Sequence, residues 1–199
     1  MTQLSVDLDV LRVQLRAKQS TTTFAHTLGV VAAVELLAAR YGVDREQARL
    51  AAFLHDAARD METSELLKRV SEYGILIDEI EAREPLLLHA KVGATMGRKL
   101  LGIEDEAVLQ AVERHTTGAP GMTALDAVVY VADYIEPGRD FPGVDEVRRA
   151  AGQDLAHSVV LAMNGALQHL LRENRLVHPR TVDARNHLLR EGIAISHQG

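Results

Sequence analysis

Apolar residues recur at helical spacing along nearly the whole chain. In the stretch that ends before Gly42, for example, Val30, Val34 and Leu37 lie three to four residues apart, which is the spacing of an amphipathic helix. Alternating β-branched runs closed by tight turns, which would indicate strands, are weak. The chain has 199 residues, of which 47% are hydrophobic, an ordinary globular composition. The pattern therefore predicts an all-α protein with one hydrophobic core.

Capping and breaking residues divide this pattern into nine predicted helices. Asp44 has the spacing of an N-cap, and Pro85 stands where a first helical residue is favoured. The run AVVYVADYI suits either a buried strand or a helix, and Thr123 with Asp126 favours the helix because the two form a capping-box pattern. The predicted helices cover residues 4–18, 20–41, 44–55, 64–73, 85–102, 105–115, 123–135, 154–173 and 182–190. We expect an N-terminal helix in residues 1–19, followed by the main part of the fold in residues 20–199, and the two together form one compact domain.

Composition and charge narrow the classes of function. The net charge of -6 argues against a broad nucleic-acid surface. Cysteine is absent, so imidazole and carboxylate groups must hold any metal ion. We find neither a basic-then-apolar leader at Met1 nor an apolar stretch that we judge long enough to span a bilayer, which predicts a cytoplasmic protein without a membrane partner. The Leu-rich helices are compatible with a homodimer.

The adjacent pair His55 and Asp56 follows a strongly apolar helical run. Neighbouring side chains on a helix point about 100° apart, so both can reach one ion only if the helix ends there and the backbone turns. Other residues of ligating type lie on the inner face or at the end of further predicted helices, namely His26, His89, His115 and Asp133. A single such histidine is more often a hydrogen-bonded core residue than a ligand. The six together favour a metal site, because burying each polar group without a partner costs about 1–3 kcal/mol.

Several strings around these residues resemble a known family. The order of His26, His55-Asp56 and a distant Asp133 is similar to the signature of HD-domain metal-dependent phosphohydrolases. Four strings are similar, more specifically, to YqeK-type symmetrical bis(5'-nucleosyl)-tetraphosphatases: HTLGV (26–30), LLLHAKVGA (86–94), ERHTTGAPGM (113–122) and LDAVVYVADYIEPGR (125–139). The resemblance extends from about Phe24 to Leu189.

The resemblance implies an HD-domain helical bundle with a metal site between helices. It implies that the metal is iron, and that the ligands are His26, His55, Asp56 and Asp133. Two imidazoles and two carboxylates suit iron, and also manganese, cobalt or zinc, and leave positions open for water and substrate. His89 and His115 would either complete a site for a second ion or bind phosphate oxygens directly, and the residue types leave both alternatives open.

The implied reaction is the hydrolysis of diadenosine tetraphosphate to two ADP. A metal-bound water, whose pKa the ion lowers towards neutrality, would attack the phosphate bridge. We expect catalytic roles for Asp56, His89, His115 and Arg59. Contacts to nucleotide or phosphate are expected from His26, Asp56, His89, His115, Thr116, Asp133, Arg139, Thr181, Asp183, Arg185 and Asn186.

Two of these expectations rest on local features. Thr181 has the place of an N-cap at a helix start, where free N–H groups bind anions. Arg59 stands where the family usually has Lys. The positive charge is retained, but the planar guanidinium group contacts phosphate with a different geometry from an ammonium group.

Alternatives from other classes remain open. The chain could be another HD-type phosphohydrolase, acting on nucleoside monophosphates or cyclic dinucleotides, although the strings HTTG and VADYIEPGR count against it. It could also be a non-catalytic, metal-containing nucleotide sensor, although all six ligating residues are present. A helical interaction protein without a metal would show no such clustering. The expected partners are thus a dinucleoside polyphosphate substrate and ADP as product, with no nucleic acid.

Overall fold

The computed structural model describes residues 6–193, which form helices and turns without a strand. The all-α prediction is confirmed. The helices of this part of the chain are α1 (Leu8–Lys18), α2 (Thr21–Tyr41), α3 (Arg45–Leu54), α4 (Thr63–Tyr73), α5 (Glu79–Arg83), α6 (Leu88–Leu101), α7 (Glu106–Arg114), α8 (Ala124–Ile135), α9 (Val144–Ala151), α10 (Leu155–Arg172) and α11 (Pro179–Glu191). A short 3-10 helix, Pro85–Leu87, precedes α6.

Side-chain caps explain most of the predicted boundaries. The Asp44 carboxylate accepts the backbone N–H of Gln47 at 2.8 Å and so begins α3. Thr123 and Asp126 form a complete capping box at the start of α8. The helix interpretation of AVVYVADYI is therefore right, and the strand alternative is wrong, because a capping box stabilises the first turn of a helix.

Two helices were not predicted, and several boundaries differ. The short helices α5 and α9 lie in segments that the pattern left without an element. The predicted helix from Pro85 begins as a 3-10 turn and becomes α-helical only at Leu88. The predicted first helix starts at Leu4, which lies outside the described residues, and the described part of α1 begins after its N-cap Asp7.

The last helix begins earlier than predicted, and its cap is a different residue. His178 is the N-cap of α11, because its Nδ1 atom accepts the backbone N–H of Arg180 at 3.1 Å. Pro179 takes the first helical position, where its missing N–H has no consequence. Thr181 therefore lies inside the helix, and the prediction that it is the N-cap is wrong.

Helix α8 runs through the middle of the core. Its residues from Leu125 to Ala132 are all buried, as expected of a helix that is apolar on every side. It packs against α2, α3, α7, α9 and α10. Because these helices meet at the centre, polar side chains at their inner faces or ends are brought close to one another.

Helix α2 is the one described helix that is long and apolar enough, by length and composition, to cross a membrane. This differs from the sequence expectation that no stretch is long enough. The core helix of a globular fold passes the same test, and α2 packs on α3 and α8 through buried Val30, Val34 and Leu37.

Candidate active site

Helix ends and inner helix faces bring six ligating side chains together. Helix α3 ends at Leu54, and the backbone turns immediately afterwards, so His55 and Asp56 point to the same place. His115 follows the last residue of α7 in the same manner. The other three side chains come from within helices, His26 from α2, His89 from α6 and Asp133 from α8.

One group of atoms lies around His26. Its Nε2 atom is 3.2 Å from Nε2 of His55 and 3.0 Å from Oδ1 of Asp133. Oδ2 of Asp56 is 3.7 Å from His26 Nε2 and 3.6 Å from His55 Nε2. Two imidazole nitrogens and two carboxylate oxygens thus converge, in the residue set that the resemblance implied for a metal ion.

A second group of atoms shares Asp56 with the first. Its other oxygen, Oδ1, is 3.1 Å from Nε2 of His89 and 3.6 Å from Nε2 of His115. The two ring nitrogens lie 3.1 Å apart. The carboxylate of Asp56 therefore stands between the two histidine pairs, with one oxygen towards each pair.

All four rings use their other nitrogen, Nδ1, to donate a hydrogen bond. The acceptors are Glu136 Oε1 for His26 at 3.1 Å, Ala52 O for His55 at 2.7 Å, Val112 O for His115 at 2.7 Å and Leu86 O for His89. In a neutral imidazole only one nitrogen carries a proton. With the proton on Nδ1, each Nε2 atom carries a lone pair. The Nε2 atoms of His26 and His55 therefore face each other with their lone pairs, and those of His89 and His115 do the same.

Facing lone pairs repel unless a proton or a metal cation lies between them. In each pair of histidines, one ring has a raised pKa and the other a lowered pKa. Burial lowers the pKa of His55 to about 4, whereas in His26 burial is outweighed by the hydrogen bond and charge of Asp133, so its pKa is raised. Burial lowers the pKa of His89, and in His115 burial is outweighed by Asp56, so its pKa is raised. In each pair, one ring therefore binds a second proton more readily than the other. A divalent ion between the two Nε2 atoms would accept both lone pairs.

Four residues of the cluster line a cavity of about 290 Å³, a size near the lower end for small-molecule sites; they are Asp56, His89, His115 and Asp133. Arg59, Thr116 and Arg139 line this cavity, together with the phenol groups of Tyr130 and Tyr134. The guanidinium group of Arg139 donates to Asp133 Oδ1 at 2.8 Å. Burial raises the pKa of Tyr130, so its phenol stays protonated. Cationic and hydroxyl groups beside clustered imidazole and carboxylate groups, which could hold a metal ion, suit an anionic substrate.

An ion pair lies in the wall of the cavity, and a separate hydrogen-bonded pair lies outside its lining. Arg175 contacts Glu84 at 2.7 Å, and both residues line the cavity. His178 Nε2 lies 2.8 Å from Asp78 Oδ2. Asp78, Glu81 and His178 are spaced as a third group of ligating type, but both ring nitrogens of His178 already have partners, so no lone pair remains for an ion.

Comparison with models of protein families shows the family to which the chain belongs. A model of the HD domain matches residues 23–138, which is more than half of the sequence and includes the complete cluster. The chain belongs to the HD domain family. That result confirms the resemblance noted from the His26, His55-Asp56 and Asp133 pattern and fits the all-helical architecture.

Relatives of this HD protein carry more specific names. A protein from Halalkalibacterium halodurans named symmetrical bis(5'-nucleosyl)-tetraphosphatase is 40% identical over 172 residues, covering 84% of this chain and 89% of the relative. A protein of the same name from Bacillus subtilis is 40% identical over 161 residues, covering 79% and 84%. A crystal structure from Clostridium acetobutylicum, described as a predicted HD superfamily hydrolase involved in NAD metabolism, superposes with a TM-score of 0.89 at 35% identity, covering 92% of this chain and 97% of that one.

The HD fold brings together most of the residues singled out from sequence. The six ligating residues converge, and Arg59, Thr116 and Arg139 line the same cavity. Four further predicted contacts lie on α11 and are absent from the lining of this cavity: Thr181, Asp183, Arg185 and Asn186. Thr181 is buried, and Arg185 donates to Asn164, so these two side chains are engaged within the protein.

Sequence reasoning missed several residues of the cluster's surroundings and of the cavity. Glu136, which accepts the Nδ1 hydrogen of His26, lies inside the string IEPGR but was not singled out. Glu84, Tyr134 and Arg175 at the cavity were also missed. The specific string around Glu136 was a usable signal, whereas the pairing of Glu84 with Arg175 joins segments that are 91 residues apart and left no local pattern.

Proposed function

We propose that this HD protein hydrolyses diadenosine tetraphosphate symmetrically, to two ADP, at a divalent metal centre. The observation that carries the proposal is the convergence of six side chains of ligating type beside a cavity that Arg59 and Arg139 line. The substrate follows from the relatives, because two proteins with 40% identity over most of the chain are named symmetrical tetraphosphatases. A different HD activity or a non-catalytic sensor is less well supported.

Several residues of the cavity suit phosphate hydrolysis. A bound divalent ion supplies Lewis acidity and lowers the pKa of a water nucleophile towards neutrality. The arginines Arg59 and Arg139 neutralise the charge of the phosphate chain and orient it, which is most of what catalysis of phosphoryl transfer requires. Thr116 adds a hydroxyl donor at the same wall. Attack at the central bridge leaves ADP on both sides.

We propose iron as the physiological metal, with manganese, cobalt and zinc as ions that the donors also suit. The ligands proposed for the first ion are His26, His55, Asp56 and Asp133. Imidazole nitrogen with carboxylate oxygen suits these transition metals, whereas magnesium prefers oxygen donors. The contacts proposed from α11 (Thr181, Asp183, Arg185 and Asn186) would reach the nucleoside portion beyond the phosphate cavity.

We further propose a second ion, held by His89, His115 and one oxygen of Asp56. The reason is that His89 and His115 repeat the facing lone pairs of His26 and His55. We expect about two ions per chain in protein purified without chelator, as in two-metal hydrolases, and about one in His115→Ala. Elemental analysis of the purified proteins measures this directly.

An exposed histidine provides the control for the ion count. His169→Ala, on the surface of α10, should keep the metal content of the original protein. A content of one ion in the unsubstituted protein, unchanged in His115→Ala, would contradict the second site and favour direct binding of phosphate by His89 and His115.

Product analysis tests the proposed reaction. The iron- or cobalt-loaded protein is incubated with diadenosine tetraphosphate, and the nucleotides are separated by ion exchange. ADP as sole product is the expected result. ATP with AMP would mean that the phosphate chain is cleaved off-centre, and binding without turnover would favour the sensor alternative.

A further inference from the structure

The carboxylate of Glu136 is buried beside the Nδ1 atom of His26, on the opposite side of the ring from Nε2. Only 5% of Glu136 is exposed. Its Oε1 atom accepts the Nδ1 hydrogen of His26 at 3.1 Å, and its Oε2 atom accepts the backbone N–H of Gly138 at 2.5 Å. Both oxygens are therefore occupied by donors that hold the carboxylate in one orientation.

Two glycines make the space that this carboxylate fills. A Cβ atom on Gly29, one turn after His26 in α2, would lie far inside contact distance of Glu136 Oε2. A Cβ atom on Gly138 would lie 3.0 Å from the same oxygen. Neither glycine has a positive φ, so close approach and not backbone conformation explains why both positions lack a side chain.

Arg148 stabilises the turn that carries Glu136 through hydrogen bonds to its backbone. This side chain of α9 donates to the backbone oxygens of Ile135 at 3.0 Å, Glu136 at 3.0 Å and Arg139 at 2.8 Å. Three hydrogen bonds from one planar guanidinium group fix the path of the backbone between α8 and α9. The position of the carboxylate is thus built into the fold.

We propose that Glu136 is a positioning residue, which keeps the proton of His26 on Nδ1 and so directs the Nε2 lone pair to the metal. The inference rests on the proposed metal site, but it assigns a role to a residue that touches neither the ion nor the substrate. A carboxylate behind a ligating histidine fixes the tautomer and the ring plane, and its loss typically weakens metal binding about 10- to 100-fold.

Glutamine is the informative substitution, because it keeps the shape but not the symmetry of the carboxylate. One oxygen of Glu136 must accept from His26 and the other from Gly138. In Glu136→Gln one of these acceptors becomes an N–H donor. Turned towards His26, the amide favours the tautomer with the proton on Nε2, which cannot bind metal. Turned towards Gly138, it places two donors against each other.

The test is the affinity for cobalt, measured by competition with a chromophoric chelator, together with the visible absorption spectrum of the cobalt-loaded protein. We expect Glu136→Gln to bind the ion at the His26 site about 10- to 100-fold more weakly and to change the spectrum. Because no substrate is present, a failure of this result is distinct from a failure of the proposed hydrolysis.

Glu81 provides a matched control. It is 3% exposed and accepts hydrogen bonds from the backbone of Asp78 and from Lys91, but it does not line the cavity. Glu81→Gln should lower thermal stability and leave cobalt affinity unchanged. If Glu136→Gln does not fold, Gly29→Ala tests the same contact by displacing the carboxylate with its charge intact. Cobalt affinity within twofold of the original protein, in whichever of the two variants folds, overturns the proposal.

Discussion

Asp56→Asn is expected to lower turnover of diadenosine tetraphosphate by at least about 1000-fold, because the change removes a negative charge from both groups of ligands. One oxygen of Asp56 faces His26 and His55, and the other faces His89 and His115. An asparagine has the same shape but brings an N–H donor to one side. Steady-state turnover at saturating substrate, with the metal content measured in the same samples, checks this expectation.

The exposed carboxylate of Asp9 in α1 gives the matched control for this substitution. Asp9→Asn makes the same chemical change at a residue that does not line the cavity, and it should leave turnover unaltered. Circular dichroism should show the helical content of the original protein in both variants. An Asp56→Asn protein that retains more than a tenth of the original turnover would contradict the proposed bridging position of this carboxylate.

Removal of metal is expected to lower the unfolding temperature markedly. An ion that binds only the folded state stabilises it by about 4 kcal/mol when its free concentration is a thousand times the dissociation constant. For a domain of this size, that corresponds to a shift of roughly 8–16 °C. Thermal unfolding is followed with and without a chelator, and then after cobalt or manganese is restored.

Two comparisons make the thermal experiment decisive. Magnesium added to the chelated protein should restore little stability, because the site offers four imidazole nitrogens to a cation that prefers oxygen. Asp56→Asn should show a much smaller response to cobalt than the original protein does. Identical unfolding temperatures with and without chelator would mean that the cluster holds no tightly bound ion.

The sequence was most informative where a local signal and the hydrophobic pattern agreed. Helix α8 was predicted because Thr123 and Asp126 cap an apolar run, and the structure has that capping box. Helix α9 has eight residues and follows Gly143 without a side-chain cap, so neither length nor capping marked it. Helix α5 does have a capping box, formed by Asp78 and Glu81, but its five residues are too few for a periodic pattern to emerge.

The candidate site also has features that the sequence predicts and features that depend on tertiary packing. Residue types, and their places on the inner faces or at the ends of predicted helices, indicate the six side chains of ligating type from sequence alone. The bridging position of Asp56 could not be predicted, because it depends on how α3, α6 and α7 pack. The role of Glu136 depends on a hydrogen bond to His26 across 110 residues, which no local pattern encodes.

Three of the four histidines in the cluster are oriented by hydrogen bonds to nearby backbone. His55, His89 and His115 each donate Nδ1 to the carbonyl oxygen three residues earlier in the chain. The orientation of these rings is therefore set within their own turns of the chain. His26 differs, since its acceptor belongs to a turn that must first dock against α2. The orientation of His26 therefore depends on tertiary packing, and a substitution that shifts the turn at Glu136 would act on the metal-facing side of this ring without touching it.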